Sequence, residues 1–120
     1  MVVWFEIPVT DMARAKAFYE AVFDIDIKDV DFGGLKMGWF PNENSANAAT
    51  GTLIQQESYV PSTEGTLIYF MSQDVQTELD RVEGAGGKIY QGKTKISDTH
   101  GFMGVFIDTE GNRIALHSQA

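Results

Sequence analysis

Cysteine is absent from the 120 residues, which excludes disulfides and thiolate metal sites. Only two histidines occur, His100 and His117, so a metal site of the usual kind would have to lean on carboxylates. Basic residues are few: nine Lys and Arg stand against 17 Asp and Glu, for a formal charge of -8. The sequence pI is about 4.5. A phosphate-binding surface needs clustered cations, and these nine are scattered, so nucleic acid is not an expected partner. No run approaches the roughly 20 apolar residues that span a bilayer, so no membrane partner is expected. The N-terminus has no basic region followed by an apolar stretch, hence no signal peptide, and the expected location is cytoplasmic. What is present is one domain's length of chain with 43% hydrophobic residues, enough for a core without staples.

The chain reads as two copies of one pattern. Val2 to Val9 is an apolar, β-rich run. Thr10-Asp11 then supplies an N-cap oxygen for a helix over Met12 to Phe23, with Met12, Ala15, Tyr19 and Val22 on one apolar face. Strands are expected over Ile25 to Val30, Leu35 to Phe40 and Gly51 to Gln55. Gly33-Gly34 forms a hairpin turn, and Asn42 to Thr50 a small, polar loop. The order then repeats. Gly65 to Met71 is a strand, Asp74 caps a second helix striped by Val75, Leu79 and Val82, and Gly84 to Gly87 ends it. Strands follow near Lys88 to Tyr90, Phe102 to Ile107 and Arg113 to Ser118, with a turn at Asp108 to Asn112.

Asp11 maps onto Asp74 with a shift of 63, and Trp4 onto Leu67 with the same shift, whereas Leu53 maps onto Ala115 with a shift of 62. The fold class expected is α+β: two paired β-α-β-β-β modules, about 1–56 and about 64–120, in a single domain spanning 1–120. Neither module can bury both faces of its sheet alone. Pairing covers one face with helices and curves the other around a cavity.

The stretch Trp4 to Phe23, with Asp11 capping a helix that carries Phe18-Tyr19, resembles the opening of a vicinal-oxygen-chelate protein of the glyoxalase and bleomycin-resistance type. Phe106 to His117 resembles the Asp-Pro-Asp-Gly-Asn hairpin and last strand of that family, with Thr109 where Pro is usual. Ala85-Gly86-Gly87 after the second helix also fits. The resemblance implies U-shaped sheets around a ligand cavity and a homodimer. In many members a divalent metal sits between His, Glu or Gln side chains on the first and last strands of each module. Those positions fall here on Trp4, Leu53, Leu67 and Ala115, none of which offers a divalent ion a lone pair. A slip of the fourth strand would substitute Ile54 or Gln55, and even Gln55 would be a lone ligand. The expectation is therefore no metal and no cofactor.

Alternation along strands gives the rest of the site. If Trp4 points into the cavity, so do Glu6 and Pro8, while Val3, Phe5, Ile7 and Val9 face the helices. Leu67, Tyr69 and Met71 would line the cavity in the second module, as would Arg113, Ala115 and His117, with Ile114 and Leu116 under the helix. The expected ligand-binding set is thus Trp4, Glu6, Leu53, Gln55, Leu67, Tyr69, Met71, Arg113, Ala115 and His117. Its ligand is a small, partly apolar or aromatic molecule with a few hydrogen-bonding groups.

Glu6 beside Trp4 in an apolar cavity would have a raised pKa and could serve as acid or base; the alternative is an ion pair with a cation such as Arg113. His117 is the other catalytic candidate, against a satisfied or partly exposed strand histidine. His100 lies in a loop that either closes over the cavity or is simply solvated. Trp4 and Trp39 could stack on a flat ligand, with Trp39 expected first as core or interface packing. The glycines at 84, 86 and 87 follow a helix instead of preceding one, so they are no phosphate loop. No Ser-His-Asp grouping has a spacing signal. Two functions follow as expectations: a metal-free glyoxalase or bleomycin-resistance-like binding protein, or a lyase or isomerase using Glu6 or His117, with or without a rearranged metal site.

Overall fold

The computed structural model describes residues 1–42 and 49–120. The greater part of the loop expected over Asn42 to Thr50 lies outside the described residues. The chain divides into two compact units, Met1–Pro61 and Ser62–Ala120. Each is a four-stranded mixed sheet with one helix, so the fold is α+β. Among the described residues no helix is long and apolar enough to cross a membrane.

In the first unit β1 (Phe5–Pro8) precedes α1 (Met12–Phe23), followed by β2 (Lys28–Phe32), β3 (Leu35–Pro41) and β4 (Ala49–Gln55). The sheet order is β1-β4-β3-β2, with β1 parallel to β4 and the other pairs antiparallel. Asp11 caps α1 by accepting from Arg14 N at 3.1 Å. The helix ends where Asp24 takes a left-handed conformation, φ 54°. The Glu20 carboxylate accepts from Ile27 N beyond that end at 2.9 Å, which delays β2 until Lys28 instead of the expected Ile25. Ala15, Phe18, Tyr19 and Val22 of α1 are buried. Phe18 meets Tyr19 edge to face at 5.1 Å, and Tyr19 meets Phe40 in the same way at 5.6 Å.

Strand β1 is shorter than expected. Its ladder to β4 starts at Phe5, and Val2 and Val3 are 85% and 86% exposed. Val3 therefore does not pack under the helix, because the residues before Phe5 have no ladder to hold them over it. Ile7 and Val9 do pack there, fully buried. The hairpin between β2 and β3 turns on Gly33 and Gly34, φ 60° and 92°, with Phe32 paired to Leu35.

In the second unit β5 (Tyr69–Met71) precedes α2 (Val75–Val82), followed by β6 (Lys88–Ser97), β7 (Gly101–Ile107) and β8 (Arg113–Ser118), in sheet order β5-β8-β7-β6. Val75, Leu79 and Val82 form the buried stripe of α2. Strand β5 covers three residues of the seven expected, and β6 runs to Ser97, beyond the expected Tyr90, through three register shifts of one residue each. The Asp108–Asn112 turn is a tight polar knot. Buried Asp108 accepts from Glu110 N, Asn112 N and Asn112 Nδ2 at 2.8, 2.8 and 3.0 Å. Asn112 Oδ1 in turn accepts from Ser62 N at 3.1 Å, fastening the start of this unit to its last hairpin.

Register makes the internal repeat constant. Ile7 pairs with Leu53 and Phe70 with Leu116, a shift of 63 on both strands, so the expected shift of 62 at the last strand is corrected. The helices also sit alike. A Cβ on Gly38, the partner of Leu53, would lie 3.1 Å from Met12 Sδ of α1. A Cβ on Gly104, the partner of Leu116, would lie 2.8 Å from Leu79 Cδ1 of α2. Each helix rests on its sheet over a glycine because no side chain intervenes.

Candidate functional site

Gly38 and Gly104 mark the helix face of each sheet, and register then assigns every other position. In the first unit Glu6, Thr52, Trp39 and Lys28 form one cross-strand row on the face away from α1. Pro8, Ile54, Met37 and Val30 form the next. Leu53 lies on the opposite face with Ile7, fully buried against the α1 side. Gln55 shares that face, and its Oε1 accepts from Met12 N at 2.8 Å, serving the first turn of α1. Leu53 and Gln55 are thus corrected from cavity lining to helix support. A one-residue change of register moves a side chain to the other side of the sheet. Thr52 and Ile54 hold the face away from α1 instead.

An aromatic row crosses this face. Trp4 meets Trp39 edge to face, centroids 5.8 Å apart and planes at 83°. Trp39 in turn meets Phe32 at 6.0 Å and 41°. Phe32 sits beside the hairpin turn and is 58% exposed. Trp4 Nε1 donates to Glu6 Oε2 at 3.3 Å. Trp39 Nε1 is buried and has no hydrogen-bond partner. Glu6 itself is exposed, not enclosed by apolar groups as expected. Trp39 is one of the two tryptophans that the sequence offers for stacking; alternation outward from the Gly33-Gly34 turn is the signal that finds Phe32 on the same face.

In the second unit Tyr69, Ala115 and Val105 form one row and Met71, His117 and Met103 the next, on the face away from α2. Arg113 shares their face, paired with Ile107, and its Nε is buried without a partner. Leu67 is half-buried and precedes β5. Ile114 and Leu116 lie on the helix face, both buried. Tyr69 and Met71 are 51% and 89% exposed. His117 Nε2 donates to the His100 carbonyl at 2.6 Å. His100 lies in the β6–β7 hairpin, exposed, its Nδ1 2.9 Å from Thr99 Oγ1.

The positions at which the resemblance implies divalent-metal ligands are, with the register corrected, Trp4, Thr52, Leu67 and Ala115. Thr52 Oγ1 lies 3.1 Å from the Gly38 carbonyl and 2.6 Å from the Leu53 carbonyl, so its proton is committed to the backbone. Among the described residues no three His, Cys, Asp or Glu side chains gather to hold a metal ion. These donors do not fit the family's divalent centre.

No curated protein matches the chain. Solved structures do. TnmS3, an antibiotic binding protein from Streptomyces sp. CB03234, is 21% identical with a TM-score of 0.71, over 100% of this chain and 96% of its own. A glyoxalase/bleomycin resistance protein from Albidiferax ferrireducens T118 is 17% identical with a TM-score of 0.67, over 98% and 97%. A glyoxalase/bleomycin resistance protein from Streptomyces sp. CB03234 is 22% identical with a TM-score of 0.68, over 96% and 97%. At these identities the likeness is one of fold. The sequence profile of the Glyoxalase/Bleomycin resistance protein/Dioxygenase superfamily matches residues 2–116, and the chain belongs to that superfamily.

Proposed function

We propose that the protein binds a small, planar, partly aromatic molecule on the Trp4–Trp39–Phe32 face, without the divalent metal of its catalytic relatives. The observation that carries this reading is the buried, unpartnered indole N–H of Trp39 within a row of three rings. A buried donor left unpaired costs about 1–3 kcal/mol. A ligand that stacks on the exposed Phe32 ring beside Trp39, and offers a carbonyl oxygen or ring nitrogen to Nε1, recovers that cost and adds stacking. The description of TnmS3 as an antibiotic binding protein is in keeping with such a ligand. Leu67, Tyr69, Met71, Arg113, Ala115 and His117 are proposed as ligand-binding residues of the second unit taken by itself, and a homodimer as the working assembly. The lyase or isomerase reading is weaker, because Glu6 is exposed and already accepts from Trp4, and His117 Nε2 already donates to a backbone carbonyl.

The test is a tryptophan-fluorescence titration with planar quinones and heteroaromatic amides. Saturable quenching is expected, weakened at least about tenfold by Trp39→Phe, a loss of about 1.4 kcal/mol that matches one hydrogen bond. A Phe32→Ala variant should bind more weakly with the fold intact. Quenching that never saturates, or affinity unmoved by Trp39→Phe, would end the proposal. Elemental analysis finding about one Zn, Ni, Mn or Fe per chain would overturn its metal-free part.

A further inference from the structure

The second sheet carries a different chemistry on its helix-free face. Strands β5, β8 and β7 are neighbours, and their register sets Met71 beside His117 and His117 beside Met103. All three point away from α2, since Gly104 and Leu116, the adjacent residues, face it. Neighbouring strands are about 4.8 Å apart, which sets the spacing across the parallel β5–β8 pair, and in the antiparallel β7–β8 pair directly opposed side chains have Cβ atoms about 4.5–5.5 Å apart. One imidazole is therefore flanked on both sides by a thioether. Met71 is 89% exposed, and its flexible chain is free to fold over the ring. Met103 and His117 are half-buried.

A second observation shows which ring nitrogen donates. His117 Nε2 is 2.6 Å from the His100 carbonyl oxygen. A carbonyl only accepts, so Nε2 carries the hydrogen, and in the neutral ring Nδ1 keeps its lone pair. Histidines that ligate metals are commonly held in this way, donating the other N–H to a backbone carbonyl. The donors available are thus one imidazole nitrogen and two thioether sulfurs. The next row, Tyr69, Ala115 and Val105, adds no carboxylate and no thiol. Hard ions need oxygen ligands, and a thioether pair suits a soft ion.

We propose that Met71, His117 and Met103 form a binding site for Cu(I), with imidazole Nδ1 and the two sulfurs as ligands. The site lies within the second unit and does not depend on the aromatic face of the first.

The experiment is an anaerobic competition in which the intact protein is titrated into the coloured Cu(I)–bicinchoninate complex. About one Cu(I) per chain should be withdrawn, and Zn(II) should not compete. The Met71→Leu/Met103→Leu double variant, close in volume and so expected to fold, should bind at least about tenfold more weakly. His117→Gln should behave likewise, tenfold being the low end of what disturbing a metal site costs. Met37→Leu, in the other unit, should change nothing. A second measurement needs no variant: in wild-type protein labelled at the methionine methyls, Ag(I) as a redox-inert stand-in should shift the Met71 and Met103 resonances. Failure to withdraw Cu(I), wild-type affinity in the double variant, or Ag(I) shifts at Met1, Met12 or Met37 without shifts at Met71 and Met103 would each overturn the proposal.

Discussion

A methyl group at Gly101 has nowhere to go. The residue has φ 72°, and a Cβ there would strike the Ser118 carbonyl oxygen and lie 2.8 Å from Gln119 Cα. These are backbone atoms of the neighbouring strand and cannot rotate aside, unlike the Leu79 side chain opposite Gly104. Gly101→Ala should therefore lower the unfolding free energy by at least about 1–3 kcal/mol, the strain of a non-glycine residue in that region. Urea denaturation measures it. Gly65→Ala, where nothing lies within 4 Å and φ is not positive, is the control and should fall within about 1 kcal/mol of the parent protein. An unchanged midpoint for Gly101→Ala would mean that the β7–β8 contact yields freely. Glu6 and His117 show how much a residue's surroundings change its reading. Each is where alternation along the strand puts it, yet each already has a partner, and those partners depend on a neighbouring side chain or a loop carbonyl that no spacing rule reports.

At the scale of elements, α2 is held at its start by charge. Asp74 accepts from Lys93 Nζ at 2.9 Å and from Gln76 N at 3.0 Å, and Lys93 also lies 4.5 Å over the Phe102 ring. The Lys93 ammonium first, and then the Gln76 N–H, hold the Asp74 carboxyl below its ordinary 3.8. A depressed carboxylate pKa contributes stability that is fully present above 3.8 and lost as pH falls through the lower folded value. Thermal unfolding of the parent protein and of Asp74→Asn should accordingly differ most near neutrality and converge in acid below that range. A gap that stays constant or widens in acid would sink the assignment. The helices were legible in the sequence because both signals were local: an Asp cap and an apolar stripe, ended by glycines after α2 and by Asp24 in a left-handed conformation after α1. Strand β6 was legible only over its first residues. From Gln91 to Ser97 it is an edge strand, largely exposed, and an exposed edge has no apolar alternation to read. A shift of 62 between Leu53 and Ala115 puts Leu53 and Gln55 on the wrong face of their strand. Only the ladder from β1 to β4 shows that the shift stays at 63 and turns both toward α1.

For the molecule as a whole the dominant quantity is the charge of -8 on 120 residues. Like charges spread over a small surface repel one another and oppose the compact state. Ion pairs such as Lys16–Asp29 and Lys93–Asp74 answer only part of this, and exposed pairs contribute little. Raising ionic strength from about 0.01 M to about 0.15 M shortens the screening length from roughly 30 to 8 Å. The melting temperature should rise over that range. A fall would mean that attractive pairs outweigh the net repulsion. The superfamily assignment concerns the whole chain too, and it was within reach of the sequence because the repeat and its end motifs cover nearly all of it. One of those motifs has a meaning in time as well as in space. Among the described residues every strand pairing of the first unit closes within residues 1–61, so its strands have their ladder partners before the second unit is translated. The second unit has no such early completion. Its opening amide, Ser62, waits for the side chain of Asn112, and Tyr69 waits for Ala115. During synthesis on the ribosome β5 must therefore remain unpaired until Ala115 to His117 of β8 have emerged, and the Asp108–Asn112 knot, which comes out just ahead of them, already holds Ser62 when they arrive.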